Sequence, residues 1–231
     1  MRLVYHVMAA PQPLGLLLLA AGDRGLRHVD FMDKRSLKRA IAAREAAEPG
    51  AQWEPSLQDL RPLADQIDEY LTGARKLLDY PLDPQGDDLS LAVWRKLRGV
   101  PFGETITVAE LARAVGQPRN LRAVAQAVLT NPLPIVIPCH RVLGADGKPS
   151  NYVGGLPRKK YLLALEERFH KMGGLDDNRV IGELTKRVRR PIMAARPVAK
   201  AAAKKRAVMP ARSAASSAVS TTLRAPKKRP R

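Results

Sequence analysis

The stretch of this chain with the most chemical potential is Ile137-Pro138-Cys139-His140-Arg141-Val142. Cys139 is the only cysteine among 231 residues. That excludes an intramolecular disulfide and any zinc site needing two cysteines. A free cysteine is most often a small buried hydrophobe. The neighbours of Cys139 point to a second use. Pro138 fixes the backbone ahead of the thiol, and the apolar approach from Leu133 to Ile137 suggests a thiol held in a pocket. His140 and Arg141 are basic groups that favour the thiolate, which is the nucleophilic form. Chain neighbours need not face each other, so adjacency alone leaves both uses of Cys139 open.

The segments upstream must position that thiol. Residues 3–8, Leu14 to Ala20 and Leu26 to Phe31 are rich in β-formers, and Gly22-Asp23-Arg24-Gly25 supplies a turn between the last two. They predict a β-meander. Ser36 to Ala47 reads as a helix that Pro49-Gly50 ends. Leu60, Leu63, Ile67 and Leu71 share one helical face, which predicts a core-facing helix over 60–72, closed by Gly73. These segments make a small N-terminal α/β domain over residues 1–84. His6 and His28 lack cysteine partners and are read as structural, so no metal site is expected. Tyr80 to Asp88 is rich in Pro, Gly and Asp and reads as a linker.

A mostly helical domain is predicted over residues 88–170. Leu91 to Leu97 forms its first helix, with Val93, Trp94 and Leu97 available for burial. Thr107-Val108-Ala109-Glu110 is a capping box that opens a second helix. Gly116 stops it, and Pro118 is placed to begin a third, carrying Leu121, Val124, Ala125 and Val128 on one side. Two short helices joined by a glycine-containing turn form a helix-turn-helix or an ordinary αα-hairpin. After the cysteine stretch comes a glycine-rich loop, Leu143 to Ser150, and then a helix over 159–168 that carries Glu166.

The charge is unevenly spread. Of a formal +18, residues 186–231 carry 15 Lys and Arg and no Asp or Glu, which leaves 25 basic and 22 acidic residues for the rest. Residues 171–231 are predicted to be a basic and largely disordered tail, because residues 191–231 hold too little apolar surface to offset ordering entropy. A polycation of this kind reads as a contact for nucleic acid. Aromatic residues make up only 4%, which argues against a base-stacking platform. The apolar run Leu14 to Ala21 is too short to span a bilayer as a helix. No membrane association is expected, and one cysteine is compatible with the cytoplasm.

Asn131-Pro132-Leu133-Pro134-Ile135-Val136-Ile137-Pro138-Cys139-His140-Arg141-Val142 resembles the signature of the O6-alkylguanine-DNA alkyltransferases, the methylated-DNA–protein-cysteine methyltransferases. The similarity runs from about Leu91 to Glu166, with a weaker echo at the N-terminus. It implies an α+β fold and DNA repair by irreversible transfer of an alkyl group from guanine O6 to Cys139. O4-alkylthymine is a further candidate substrate. The resemblance also implies that His140 relays the thiol proton through a water and that Glu166 orients His140. It assigns Arg122 to the gap left by the flipped nucleotide, and Asn131 to the junction between recognition helix and active-site strand. Tyr152 would line the alkyl pocket, with backbone amides of Val153, Gly154 and Gly155 facing guanine O6 and Lys159 beside the pocket. Arg141 is placed with the substrate and DNA contacts. The chain departs from the family at Val108, where a tyrosine is usual, and at Ala125 and Gln126, where small residues, often glycine, are usual. No cofactor is implied. The expected partner is double-stranded DNA containing alkylated bases, with nonspecific DNA on the tail, and the expected form is a nucleoid-associated cytoplasmic monomer.

Two other readings fit parts of the pattern. An alkyltransferase-like damage sensor would bind lesions without reacting, but those relatives lack the cysteine. A Cys-His-Glu thiol hydrolase would need turnover and an oxyanion hole, and nothing in the sequence indicates either.

Overall fold

The computed structural model describes residues 1–35 and 37–172. The predicted tail lies outside these residues apart from its first two. The described residues fall in one compact unit, a mixed α+β fold with an N-terminal sheet and a helical C-terminal half.

The sheet is built around β2 (Gly15–Gly22), flanked by β1 (Arg2–Ala10) and β3 (Gly25–Met32). Both neighbours run antiparallel to it, from Val4 opposite Ala21 to Ala10 opposite Gly15 on one side and with Leu19 opposite Val29 on the other. The strand β2 is apolar along its length because both of its faces are covered. Leu16 and Leu18 point to one side, where they meet Leu37, Ala40 and Ile41 of α1 (Leu37–Ala47). Leu17, Leu19 and Ala21 point to the other side and share a core with Leu60, Leu63 and Ile67 of α2 (Leu57–Leu71). The period-two alternation thus assigns each leucine to a helix. Burying each of these leucines is worth about 1.5–3 kcal/mol.

In the N-terminal half three features differ from the sequence expectation. A fourth strand, β4 (Gln52–Pro55), pairs parallel to β1 and completes the sheet in the order β3-β2-β1-β4. It is short, largely polar and mostly exposed, so no hydrophobic pattern marks it. Helix α2 begins earlier than its apolar stripe, because Ser56 caps it by accepting from the Asp59 amide. The linker is strapped to the sheet: Leu26 N donates to Pro81 O at 2.8 Å and Asp83 N donates to Leu26 O at 2.9 Å.

The C-terminal half begins at α3 (Asp88–Arg98), whose Asp87 cap accepts from Ser90 N at 2.7 Å. The Thr107–Glu110 capping box closes reciprocally at the start of α4 (Val108–Ala114). Helix α5 (Leu121–Leu129) starts after Asn120, later than Pro118, because residues 118–119 form a turn. Trp94 of α3 donates its indole N–H to Ala127 O of α5 at 2.8 Å. Two short strands, β5 (Ile106–Thr107) and β6 (Val142–Leu143), pair in parallel and set the start of α4 beside the cysteine stretch. The last described helix is α6 (Leu156–Lys171).

The two halves share one continuous core. At the end of α2, Gly73 adopts φ +79°, and a Cβ there would overlap the ring of Phe169 on α6. Only glycine permits that approach. It brings the last turn of α2 against the face of α6 that carries Glu166. Among the described residues no helix is long and apolar enough to cross a membrane.

Candidate active site

The cysteine is delivered by a constrained loop. Asn131 follows the C-terminus of α5 and is 2% exposed. Its side-chain oxygen accepts from Leu133 N at 3.0 Å. Its side-chain nitrogen reaches Ile137 O at 2.9 Å and the Cys139 sulfur at 3.0 Å. Leu133 O accepts from Ile137 N at 2.8 Å and closes the loop. Inside it, Ile135 has φ +75°, a left-handed conformation that a β-branched residue adopts only under constraint. Pro138, at φ −79° and ψ 63°, makes an inverse γ-turn in which Cys139 N donates to Ile137 O at 2.7 Å. One turn of 3-10 helix, Cys139–Arg141, follows. Adjacent residues therefore point in different directions within a single buried cluster.

His140 is fully buried, and its Nε2 lies 2.9 Å from Glu166 Oε1. A carboxylate accepts and cannot donate, so it fixes the imidazole proton on Nε2 and leaves a lone pair on Nδ1. That nitrogen is buried and has no hydrogen-bond partner among the described residues. Glu166 is itself saturated. Arg141 grips it in a fork, Nε to Oε2 at 2.9 Å and Nη2 to Oε1 at 2.7 Å, and Gly103 N donates to Oε2 at 3.0 Å.

Arg141 is therefore a correction to the sequence expectation. It was placed with the substrate and DNA contacts, yet it is 6% exposed and faces inward, with Nη1 on Val100 O at 2.5 Å. A buried carboxylate needs a buried cation, and Arg141 supplies it.

The electrostatics follow from burial. Loss of solvent pushes the Cys139 thiol up to about 11, against the Asn131 N–H and the positive charge of Lys159, which favour the thiolate. Burial also lowers His140 below its ordinary value, although Glu166 pulls the other way. Burial alone would raise Glu166, but the His140 and Arg141 hydrogen bonds and charges outweigh it and hold the carboxyl well below its usual range. The resting cluster is thus a neutral thiol, a neutral imidazole and an ion pair. A nucleophile in this state must lose its proton as it reacts.

Beside the thiol, α6 contributes Lys159, which is 1% exposed and donates to Val142 O at 2.5 Å. It lines a cleft of about 90 Å³ together with Val108, Ala125, Val128 and Asn151. A wider cleft of about 650 Å³ adjoins it, walled by Leu129, Tyr152, Val153 and Leu156. Tyr152 is buried, edge-on to His140 with ring centroids 6.4 Å apart, and its hydroxyl has no hydrogen-bond partner among the described residues. Gly154 passes so close to Phe31 of β3 that a Cβ would lie 2.6 Å from the ring. Gly155 caps α6 at φ +83°. Arg122 is exposed near the start of α5, apart from the buried cluster. In the N-terminal half, His28 pairs with Glu48 and stacks on Trp53 at 6.0 Å, while His6 is half-buried and lowered by burial and by Arg61.

Two participants were not read from the sequence. Tyr70 of α2 donates its hydroxyl to Glu166 Oε1 at 2.5 Å. Its signal was there: it lies on the same face as Ile67 and Leu63, and a polar-headed residue on a core stripe implies a buried partner. Arg158 donates to Pro13 O at 3.1 Å, Leu14 O at 3.2 Å and Gly154 O at 2.9 Å. No local pattern announces contacts that far apart in sequence.

Comparison with known proteins settles the family. Residues 3–84 match the family described as 6-O-methylguanine DNA methyltransferase, ribonuclease-like domain, and residues 88–168 match its DNA binding domain. The methylated-DNA–protein-cysteine methyltransferase of Methanosarcina barkeri is 40% identical over 155 residues, covering 67% of this chain and 92% of its own length. The chain belongs to the 6-O-methylguanine DNA methyltransferases. The corresponding Haemophilus influenzae protein is 34% identical over 162 residues, covering 68% of this chain and 83% of its own length. Among solved structures, the O6-methylguanine methyltransferase of Mycobacterium tuberculosis superposes with a TM-score of 0.61 at 33% identity, over 72% of this chain and 93% of that one. A structure of M. tuberculosis OGT in complex with DNA gives 0.59 at 32% identity, over 73% of this chain and 94% of that one.

Proposed function

We propose that this methyltransferase repairs DNA by moving the alkyl group of O6-alkylguanine irreversibly onto the sulfur of Cys139. The observation that carries the assignment is the buried arrangement of Cys139, His140 and Glu166, with Nδ1 of His140 free to take a proton. The thiol proton passes through a water to Nδ1, and the charge that forms on the imidazole is offset by Glu166. The sulfur forms a bond to the alkyl carbon while the carbon–oxygen bond breaks. Its electrons return to guanine, which takes up one proton in balance with the one given up by the thiol and remains in the DNA as the ordinary base. Among the described residues no group beside the thioether would regenerate a thiol, so each molecule reacts once.

The reacting carbon cannot be reached inside a duplex, so the nucleotide must be extruded. Helices α4 and α5 act as a helix-turn-helix, with α5 on the DNA and Arg122 entering the stack behind the flipped base. Tyr152 and the cleft beside Lys159 receive that base, and the amides of Val153, Gly154 and Gly155 face its O6. Val108 supplies no hydroxyl to this cleft. The protein acts as a monomer in the cytoplasm, associated with the nucleoid through its basic tail, which binds DNA without regard to sequence.

The test is incubation with duplex DNA carrying labelled O6-methylguanine. Label is expected on the protein up to one equivalent, and on Cys139 in a peptide map. Cys139→Ser should abolish transfer and leave DNA binding within about twofold, since hydroxyl and thiol are similar in size and the alcohol is far less acidic. Label on the serine variant, or repeated turnover, would exclude this mechanism.

A further inference from the structure

The relay lies in the C-terminal half of the chain with one exception. Tyr70, in the last turn of α2, is 1% exposed, and its hydroxyl lies 2.5 Å from Glu166 Oε1 and 3.4 Å from His140 Nε2. Its ring is held edge-on to Phe102, with centroids 5.8 Å apart and planes at 85°. The backbone of Gly73 keeps this turn of α2 against α6. The oxygen that Tyr70 meets is the one that takes His140 Nε2 at 2.9 Å and Arg141 Nη2 at 2.7 Å.

We propose that Tyr70 is a positioning residue for alkyl transfer: by donating to Glu166 Oε1 it fixes the oxygen that holds His140 and limits how tightly the imidazole binds a proton. This rests on the assignment of His140 as proton acceptor. A carboxylate strengthens the proton affinity of an imidazole beside it, and every donor aimed at the same oxygen draws charge away from that contact. Without such a donor His140 would bind a proton more tightly, and an imidazole that already holds one cannot take another from the thiol. The groups that face His140 are few. Glu166 favours its charged form, while Arg141 beside it and Lys159 from α6 oppose it. Cys139 precedes it in the chain, and Tyr152 stands edge-on from the following loop. The segment between α3 and α4 brings the Gly103 N–H to the other oxygen of Glu166, and Phe102 packs on Tyr70 and Arg141 rather than on His140. From α2 comes Tyr70, the neutral donor on Oε1. Burial, with the Glu166 charge added, holds the Tyr70 hydroxyl well above the ordinary range, so it remains a donor throughout the working pH.

The experiment is the pH dependence of single-turnover transfer by the full chain, using duplex DNA with labelled O6-methylguanine. Tyr70→Phe removes one oxygen and keeps the ring on Phe102. The acid limb should move up by about 0.5–1 pH unit, and the rate above the limb should fall by less than about threefold. Replacing Tyr70 by 3-fluorotyrosine, whose hydroxyl is a stronger donor, should move the limb down. A midpoint unchanged in both proteins, or no acid limb in either across the stable range, overturns the proposal, whatever happens to Tm. If the phenylalanine protein does not fold, the fluorotyrosine protein decides alone. Failure of the underlying assignment is read separately: it appears as an acid limb that survives in His140→Gln, or as label away from Cys139.

Discussion

Asn131 and Cys139, eight positions apart, are joined by a hydrogen bond from the side-chain amide to the sulfur at 3.0 Å. The same nitrogen holds Ile137 O at 2.9 Å, so one side chain both folds the loop and touches the nucleophile. Its N–H favours the thiolate, yet burial wins and the thiol stays protonated at rest.

That balance predicts a loss of stability in alkali. The thiol lies near 9.0 when free and is raised to about 11 in the fold. A raised acid favours the folded state below the unfolded value and loses that contribution as pH climbs through the folded one. The effect is therefore intact at pH 8 and fades between about 9 and 11. Two units correspond to about 3 kcal/mol at most. The check is urea unfolding of wild type and Cys139→Ser from pH 7 to 11. The stability difference between them should shrink or change sign above pH 9, and parallel curves would mean that the thiol is not raised.

The cysteine stretch was legible because its proline spacing and its lone thiol are contiguous in sequence. The meander and the stripe of α2 were legible because burial on one or two faces imposes a period. What failed to show was mostly long-range. The sequence places Arg141 with the substrate and DNA contacts, whereas Glu166, 25 positions later, turns it inward. Tyr70 meets a partner 96 positions away. Strand β4 has too little apolar content for any period, and its place is set by backbone pairing with β1.

Arg122 separates base extrusion from simple binding. An arginine that replaces a flipped base acts only where there is a stack to fill. Arg122→Ala should slow single-turnover repair of duplex DNA by about tenfold or more, and repair of single-stranded DNA by less than about threefold. Equal losses on the two substrates would make it a phosphate contact.

Arg158 ties the active-site loop to the sheet. Its guanidinium lies 5.1 Å above Phe31 and hydrogen-bonds Pro13, Leu14 and Gly154. Arg158→Ala should cost about 1–3 kcal/mol and speed amide exchange at Gly154 and Gly155. Arg158→Lys should restore little, because an ammonium cannot both stack and fork across separate carbonyls. Full recovery with lysine would reduce the contact to charge alone.

The basic tail makes a prediction that needs only its composition. Residues 186–231 carry 15 positive charges and no negative ones. A polycation gains affinity by releasing counterions from DNA, and each neutralised phosphate steepens the log–log salt dependence by about 0.9. If a third of these charges engage, truncation after about Glu183 should flatten the slope by roughly 4–5 units. Nonspecific affinity should fall strongly at low salt. The transfer rate at saturating DNA should change by less than about twofold, because the bonds that hold Cys139, His140 and Glu166 join residues within 1–172. A salt titration of binding and single-turnover kinetics on both proteins make the comparison. An unchanged slope would show that the tail does not engage DNA. A collapsed rate at saturation would show that residues beyond Glu183 help to build the active fold.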